Sequence, residues 1–346
     1  MKVTVTKKDA AWDFDAELNE SVLYAGLRQG LSLSYECATG TCGTCKAKLV
    51  SGDLDHGWKD APGRSYLKLD RGEFLMCQSR ALSDCEIRVP GSLASDPDSP
   101  SLPGHYRGSL KNKQALTHDV MRFDVVLDRP MQFQAGQFVV LASPDVKGFR
   151  AYSMVNYDDN AGSLELVIKR LPGGKFSDWL FDDLQADKAI SVFGPLGQAV
   201  FEPELKKDIV CIAGGSGIAG MMSILTHGCR DDYFAERRAH LYFGVRTPKD
   251  IFFYPELATM AKQFPKNLSI TIALSDEPPG SLESEQPENI MFATGFVHEA
   301  ARQCQLDKTN TMAYIAGPPP MVEAALKDLL VEAGYTPDQI RYDKFG

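Results

Sequence analysis

Eight of the 346 residues are cysteines, and four of those are spaced for chemistry. Cys37, Cys42 and Cys45 follow the pattern C-x4-C-x2-C, and Cys77 stands 32 residues further on. Three thiolates in so short a run must be bent toward one point. Gly40 and Gly43 permit the positive φ that such a loop needs. Four thiolates of this spacing suit two irons bridged by sulfide, with loop N–H groups reaching the sulfurs and adjusting the potential. A single zinc ion is the competing occupant, but structural zinc sites usually offer two paired C-x2-C elements, and only one is present here. Cys85 reads as a buried thiol, and Cys211, Cys229 and Cys304 are scattered.

The segment 36–46, ECATGTCGTCK, resembles the N-terminal ferredoxin domain of oxygenase electron-transfer reductases, whose clusters are of the plant [2Fe–2S] type. That resemblance predicts flavin and nicotinamide motifs downstream. Arg150-Ala151-Tyr152-Ser153 resembles the R-x-Y-[ST] motif of the ferredoxin–NADP reductase superfamily. The residue types suit the task. Arg150 can neutralise a pyrophosphate, Tyr152 offers an aromatic surface for the isoalloxazine or ribityl chain, and Ser153 brings a hydroxyl toward flavin N5. Lys169 opens a glycine-rich run containing Gly173, Gly174, Lys175 and Ser177, which leads into a helix whose free N–H groups suit an anion. Gly194-Pro195-Leu196-Gly197 is similar to the turn that ends the family's flavin barrel. The resemblance implies FAD, with FMN the alternative.

Gly214-Gly215-Ser216-Gly217 follows an apolar strand and opens a helix. Gly215, Gly217 and Gly220 satisfy G-x-G-x-x-G, but the acidic residue expected about 20 positions later is missing. The run is closer to the G-G-[ST]-G loop of the same superfamily, departing from it at Met221, where relatives often have proline. Arg246 and Asp250 resemble the stretch beside the adenosine, and Ala316-Gly317-Pro318 the loop over the nicotinamide, where many relatives carry cysteine at the position of Ala316. Phe345, next to the C-terminal Gly346, resembles the family's terminal aromatic against the flavin, or is an exposed tail. With Tyr152 and Ser153 it completes the set expected at the reacting atoms. A lone Arg246, with Lys249 the nearest other cation, favours NADH over NADPH.

The elements that must position these residues follow from periodicity. An alternating strand opens the chain at Val3-Thr4-Val5, and a helix with Ser21 as cap is predicted over 21–30. Runs at 121–127, 137–142, 164–169 and 189–193, separated by turn residues, predict a small antiparallel barrel with one helix at 175–184. Beyond 206, strands at 209–213, 240–245, 268–273, 312–316 and 339–342 alternate with helices at 218–229, 255–263, 295–303 and 320–333. That alternation predicts a parallel sheet covered on both faces. The expected fold is multidomain α+β and α/β: a β-grasp ferredoxin domain (1–95), a Pro/Ser-rich linker (96–105), an antiparallel flavin-binding barrel (106–205) and a doubly wound nicotinamide domain (206–346).

Composition agrees: 44% hydrophobic and 24% charged residues support buried cores. A net charge of −9 disfavours nucleic acid as a partner. No apolar run is long enough to span a bilayer, and the N-terminus lacks a signal core, so a cytoplasmic protein without membrane contact is expected. The resemblance implies a reductase that moves electrons from NADH through FAD and a [2Fe–2S] cluster to a terminal oxygenase component or an intermediate ferredoxin. A non-oxygenase or NADPH-dependent electron-transfer reductase is the alternative. A flavin-binding carrier without turnover and a flavohaemoprotein-like enzyme are the readings from other classes, the latter disfavoured because no globin-sized domain precedes the flavin motifs.

Overall fold

The computed structural model describes residues 1–7, 10–91, 93–99, 101–183, 188–280 and 287–344. The chain divides into two compact units, one of residues 1–107, 139–151 and 190–196 and the other of 108–138, 152–189 and 197–346.

The first unit begins with strands β1 (Lys2–Lys7) and β2 (Ala10–Asp15) and helix α1 (Val22–Arg28). Strands β3 (Lys46–Ser51), β4 (Leu54–Asp55), β5 (Glu73–Leu75), β6 (Arg80–Ala81) and β7 (Cys85–Arg88) follow. The main sheet runs β2-β1-β7-β3-β5, with β1 parallel to β7 and the other pairs antiparallel, a β-grasp arrangement. Ser21 caps α1 as expected, its hydroxyl accepting from Tyr24 N–H at 3.2 Å, and Val3 and Val5 of β1, Leu23 of α1 and Ile87 of β7 are fully buried. The Pro/Ser-rich stretch is fastened at its start: Leu31 bridges Ser95 and Asp96 N–H donates to Gly30.

The barrel strands are β8 (Gly104–Ala115), β9 (Val120–Met131), β10 (Phe138–Ala142), β11 (Arg150–Ser153), β12 (Ala161–Lys169) and β13 (Ala189–Leu196). In the first unit β10 lies between β11 and β13. In the second β9 lies between β8 and β12, antiparallel to both. The helix expected over 175–184 is short: α2 spans Lys175–Asp178 and continues as a π-helical turn over Trp179–Asp183. Strand β8 begins at Gly104, inside the stretch whose composition reads as linker.

The parallel sheet contains β14 (Asp208–Gly214), β15 (Ala239–Val245), β16 (Leu268–Leu274), β17 (Ile290–Thr294), β18 (Thr311–Gly317) and β19 (Ile340–Lys344). Its helices are α3 (Ile218–Arg230), α4 (Tyr233–Glu236), α5 (Tyr254–Gln263), α6 (Val297–Ala301) and α7 (Pro319–Lys327). Strand order is β17-β16-β15-β14-β18-β19, parallel throughout. Winding reverses at β14, so the crevice beyond the ends of β14 and β18 is where such sheets bind ligands. Val120, Val155, Val167 and Phe201 of the barrel share a continuous core with this sheet.

Candidate functional site

The four motif cysteines are free of disulfides and sort into two pairs. Cys45 and Cys77 lie with sulfurs 3.2 Å apart. The other pair is Cys37 with Cys42. The Cys37 thiol is held low by its hydrogen bond with Cys42 and by Thr39 N–H and Cys42 N–H, and Cys42 is pushed correspondingly high. Both N–H groups donate to Cys37 Sγ at 3.4 Å. Among the described residues, no three of the thiols lie within 4.8 Å of one another. A single zinc would draw its ligands into one tetrahedral set. Two pairs suit two irons, so the residues present fit a [2Fe–2S] cluster. The loop is closed by glycines: Gly40 and Gly43 have φ of 97° and 81°, and a Cβ on Gly63 would lie 2.8 Å from Gly40 O and from Gly43 N. Cys85 is a buried thiol, as expected, raised by desolvation.

Tyr24 was not singled out by the sequence. It projects from α1, and its phenol donates to Ala38 O at 2.9 Å, beside the motif cysteine Cys37. Burial raises its pKa well above the usual range, and the thiols of Cys77, Cys37 and Cys45 add to this. Nothing in a lone helical tyrosine at core spacing could have announced that contact.

The flavin motif forms β11, with Arg150 and Tyr152 half-buried and Ser153 buried. Arg150 Nη1 donates to Phe149 O at 2.8 Å. Tyr152 stacks with Phe176 of α2 at 6.1 Å. Ser153 lies beside the first turn of α3: a Cβ on Gly220 would stand 3.6 Å from Ser153 Cβ and 3.7 Å from its Oγ. Strand β11 therefore meets the start of α3 with no side chain between. The glycine-rich run organises itself. Ser177 Oγ accepts from Leu171 N–H at 3.1 Å and reaches Gly174 O at 2.9 Å, Gly173 has φ of 72°, and Lys175 is exposed on α2. Lys169, grouped with that run by sequence, instead pairs with Asp119 at 3.1 Å.

That ion pair lines a cavity of about 300 Å³ at the switch point, together with Gly214, Gly215, Ser216, Arg246, Asp250 and Pro318. The last turn before α3 presses on the end of β18, because a Cβ on Gly217 would lie 2.3 Å from Ala316 O. Gly317 packs likewise, its Cβ position 2.4 Å from Met321 Cε. Asp250 Oδ2 accepts from Thr247 N–H and Oγ1, both at 2.9 Å, fixing the loop after β15. Asp119 was missed because it sits in a turn before β9, outside every motif. Burial works to raise its carboxyl, but Lys169 outweighs that and holds it low. Phe345 lies outside the described residues.

Three family descriptions match the chain in order: a 2Fe-2S iron-sulfur cluster binding domain over residues 5–82, an oxidoreductase FAD-binding domain over 107–201 and an oxidoreductase NAD-binding domain over 211–327. The chain is 32% identical to the ferredoxin–NAD(P)(+) reductase CarAd of Metapseudomonas resinovorans, covering 94% of each. It is 32% identical to the phenol 2-monooxygenase reductase component DmpP of Pseudomonas sp. strain CF600, covering 95% of this chain and 91% of the relative. Among solved structures, a ferredoxin reductase in carbazole 1,9a-dioxygenase superposes with a TM-score of 0.82 at 30% identity, covering 100% of this chain and 99% of the other. Among the described residues, no helix is long and apolar enough to cross a membrane.

Proposed function

We propose, on the premise that this chain belongs to the family of ferredoxin–NAD(P) reductases that serve oxygenase systems, that it draws electrons from NADH and hands them singly to an oxygenase component or an intermediate ferredoxin. The chain has the iron–sulfur, FAD and NAD modules this traffic requires. We assign them to residues 1–95, 106–205 and 206–346. When bound, FAD accepts two electrons together from the nicotinamide and releases them one at a time, and the [2Fe–2S] cluster conducts single electrons.

The protein's own residues bind, orient and exclude. Cys37, Cys42, Cys45 and Cys77 hold the cluster. Arg150 neutralises the flavin pyrophosphate, Tyr152 covers the flavin and Ser153 donates its hydroxyl toward N5. The self-bonded loop of Gly173, Gly174, Lys175 and Ser177 encloses the phosphate end. Gly214, Gly215, Ser216 and Gly217 admit the nucleotide backbone, while Gly317 and Pro318 shape the nicotinamide side. No strong acid or base is needed, because placement of the two rings carries the rate. Supporting this is the bare approach of Ser153 to Gly220. NADH is favoured over NADPH because Arg246 shares its cavity with Asp250, while the second cation there, Lys169, is already paired with Asp119.

An absorption spectrum of the purified protein before and after anaerobic NADH tests the reading. Flavin and iron–sulfur bands that both bleach support it. Bands that respond to NADPH alone overturn the nucleotide choice, and bands that respond to neither nucleotide overturn the reductase.

A further inference from the structure

The contacts of Tyr24 join two parts of the chain that the electrons must cross. Its ring is 2% exposed and stacks on Phe193 of barrel strand β13, with centroids 4.2 Å apart and planes at 16°. Phe149, the residue before the flavin arginine, meets the same ring edge-on at 5.7 Å. On its other side the phenol donates to Ala38 O. Ala38 is a non-glycine residue at φ 56°, a left-handed conformation that an L side chain resists. It is also fully buried beside Cys37, so the hydrogen bond secures a strained backbone at the cluster. A second clasp runs in parallel: Glu20, just ahead of α1, bonds His105 of β8 at 2.7 Å, and His105 in turn packs on Phe193 at 4.7 Å.

Resting on the reductase reading above, we propose that Tyr24 is a positioning residue for internal electron transfer: it locks the cluster loop against barrel strand β13, so that electrons leave the flavin over a fixed path. The step moves one electron from reduced FAD to the oxidised cluster. No bond of Tyr24 forms or breaks, and its phenolic hydrogen stays on the Ala38 carbonyl bond. Stacked aromatic pairs add enough energy that losing one shifts a docked-to-undocked balance by about tenfold.

The test uses the holoprotein with Tyr24→Leu, Tyr24→Phe and Phe193→Leu, read by stopped-flow absorbance and by hydrogen exchange of the cluster-loop amides. In Tyr24→Leu, flavin reduction by NADH keeps its rate, cluster reduction slows about tenfold, and exchange over residues 38–43 rises by about as much. Tyr24→Phe keeps the stack and loses the tether, so loop exchange rises and transfer slows, though less than in Tyr24→Leu. Phe193→Leu reproduces the slowed transfer from the barrel side, and the double leucine variant is no slower than the worse single. If Tyr24→Leu fails to hold the cluster, Phe193→Leu decides the matter. Wild-type cluster reduction in Phe193→Leu, or unchanged loop exchange in a cluster-loaded Tyr24→Leu, overturns the proposal. A wild-type protein whose cluster never reduces with NADH overturns the parent reading instead.

Discussion

Gly217→Ala isolates the contact between the two loops proposed to frame the nucleotide. Gly217 has an ordinary helical φ of −61°, so alanine costs nothing in backbone conformation. The obstacle is space: the new methyl would lie 2.3 Å from Ala316 O and 2.5 Å from Ala316 C, where side-chain carbons keep at least 3.0 Å. Both obstacles are backbone of β18, which is paired to β14 along its length, so neither loop can yield by rotating a side chain. Relief requires the loops to part by 0.7 Å or more, and by about 1 Å for comfortable contact. Overpacking of this kind costs about 1–3 kcal/mol of stability. A misplacement of about 1 Å at reacting groups costs about 100-fold in rate. Stopped-flow reduction of the bound flavin by NADH should therefore slow by one to two orders of magnitude (about 10- to 100-fold), with the flavin still bound and the cluster spectrum unchanged. Gly215→Asn is the control. Gly215 has φ of 54° with nothing within 4 Å of its Cβ position, and asparagine tolerates that conformation. The control should fold at a cost of about 1 kcal/mol. A Gly217→Ala protein that accepts electrons from NADH at the wild-type rate and unfolds at the wild-type temperature would refute the close-packing argument.

Cys77→Ser should lose the cluster and with it cytochrome c reduction, while NADH-driven ferricyanide reduction through the flavin persists; cytochrome c reduction at the wild-type rate would break the proposed order of carriers. If Arg150 meets the flavin pyrophosphate as proposed, Arg150→Gln removes a charged hydrogen bond of about 1.5–3 kcal/mol and should cost about 10- to 100-fold in flavin affinity, read as flavin released on gel filtration. Burial pushes the Glu20 carboxyl up, but His105 and Arg28 outweigh it and bring it down from 4.5 to about 2. A carboxylate with a depressed folded pKa stabilises above its unfolded value and loses that contribution as pH falls toward the folded one. Glu20→Gln should thus lower the unfolding temperature at pH 6, with the gap to wild type narrowing as pH falls from about 4.5 toward 2; a gap constant across that window contradicts the assignment.

Much of this protein was determined locally, and so was legible. Cysteine spacing, the R-x-Y-S strand and the glycine-rich turn of β14 depend on residues within one loop or element, and their order along the chain set the order of the modules. Helix and strand periods carried the nicotinamide domain, where β14, β15, β16 and β18 fall within about a residue of the expected bounds. Strand β17 escaped notice because its five residues, IMFAT, alternate too little to stand out beside a polar segment. Strand β8 escaped because its start, Gly104, lies in a stretch whose composition reads as linker. The helix expected over 175–184 became four α-residues and a π-turn because Trp179, Leu180 and Phe181 all bury into the core. Only the tertiary structure could decide the rest. The sorting of four thiols into two pairs, the pairing of Lys169 with Asp119, the meeting of Ser153 with Gly220 and the tether from Tyr24 to Ala38 all join residues from separate elements. Such contacts are fixed by how sheets and helices pack, and packing is a property of surfaces brought together across the chain, which no local spacing encodes.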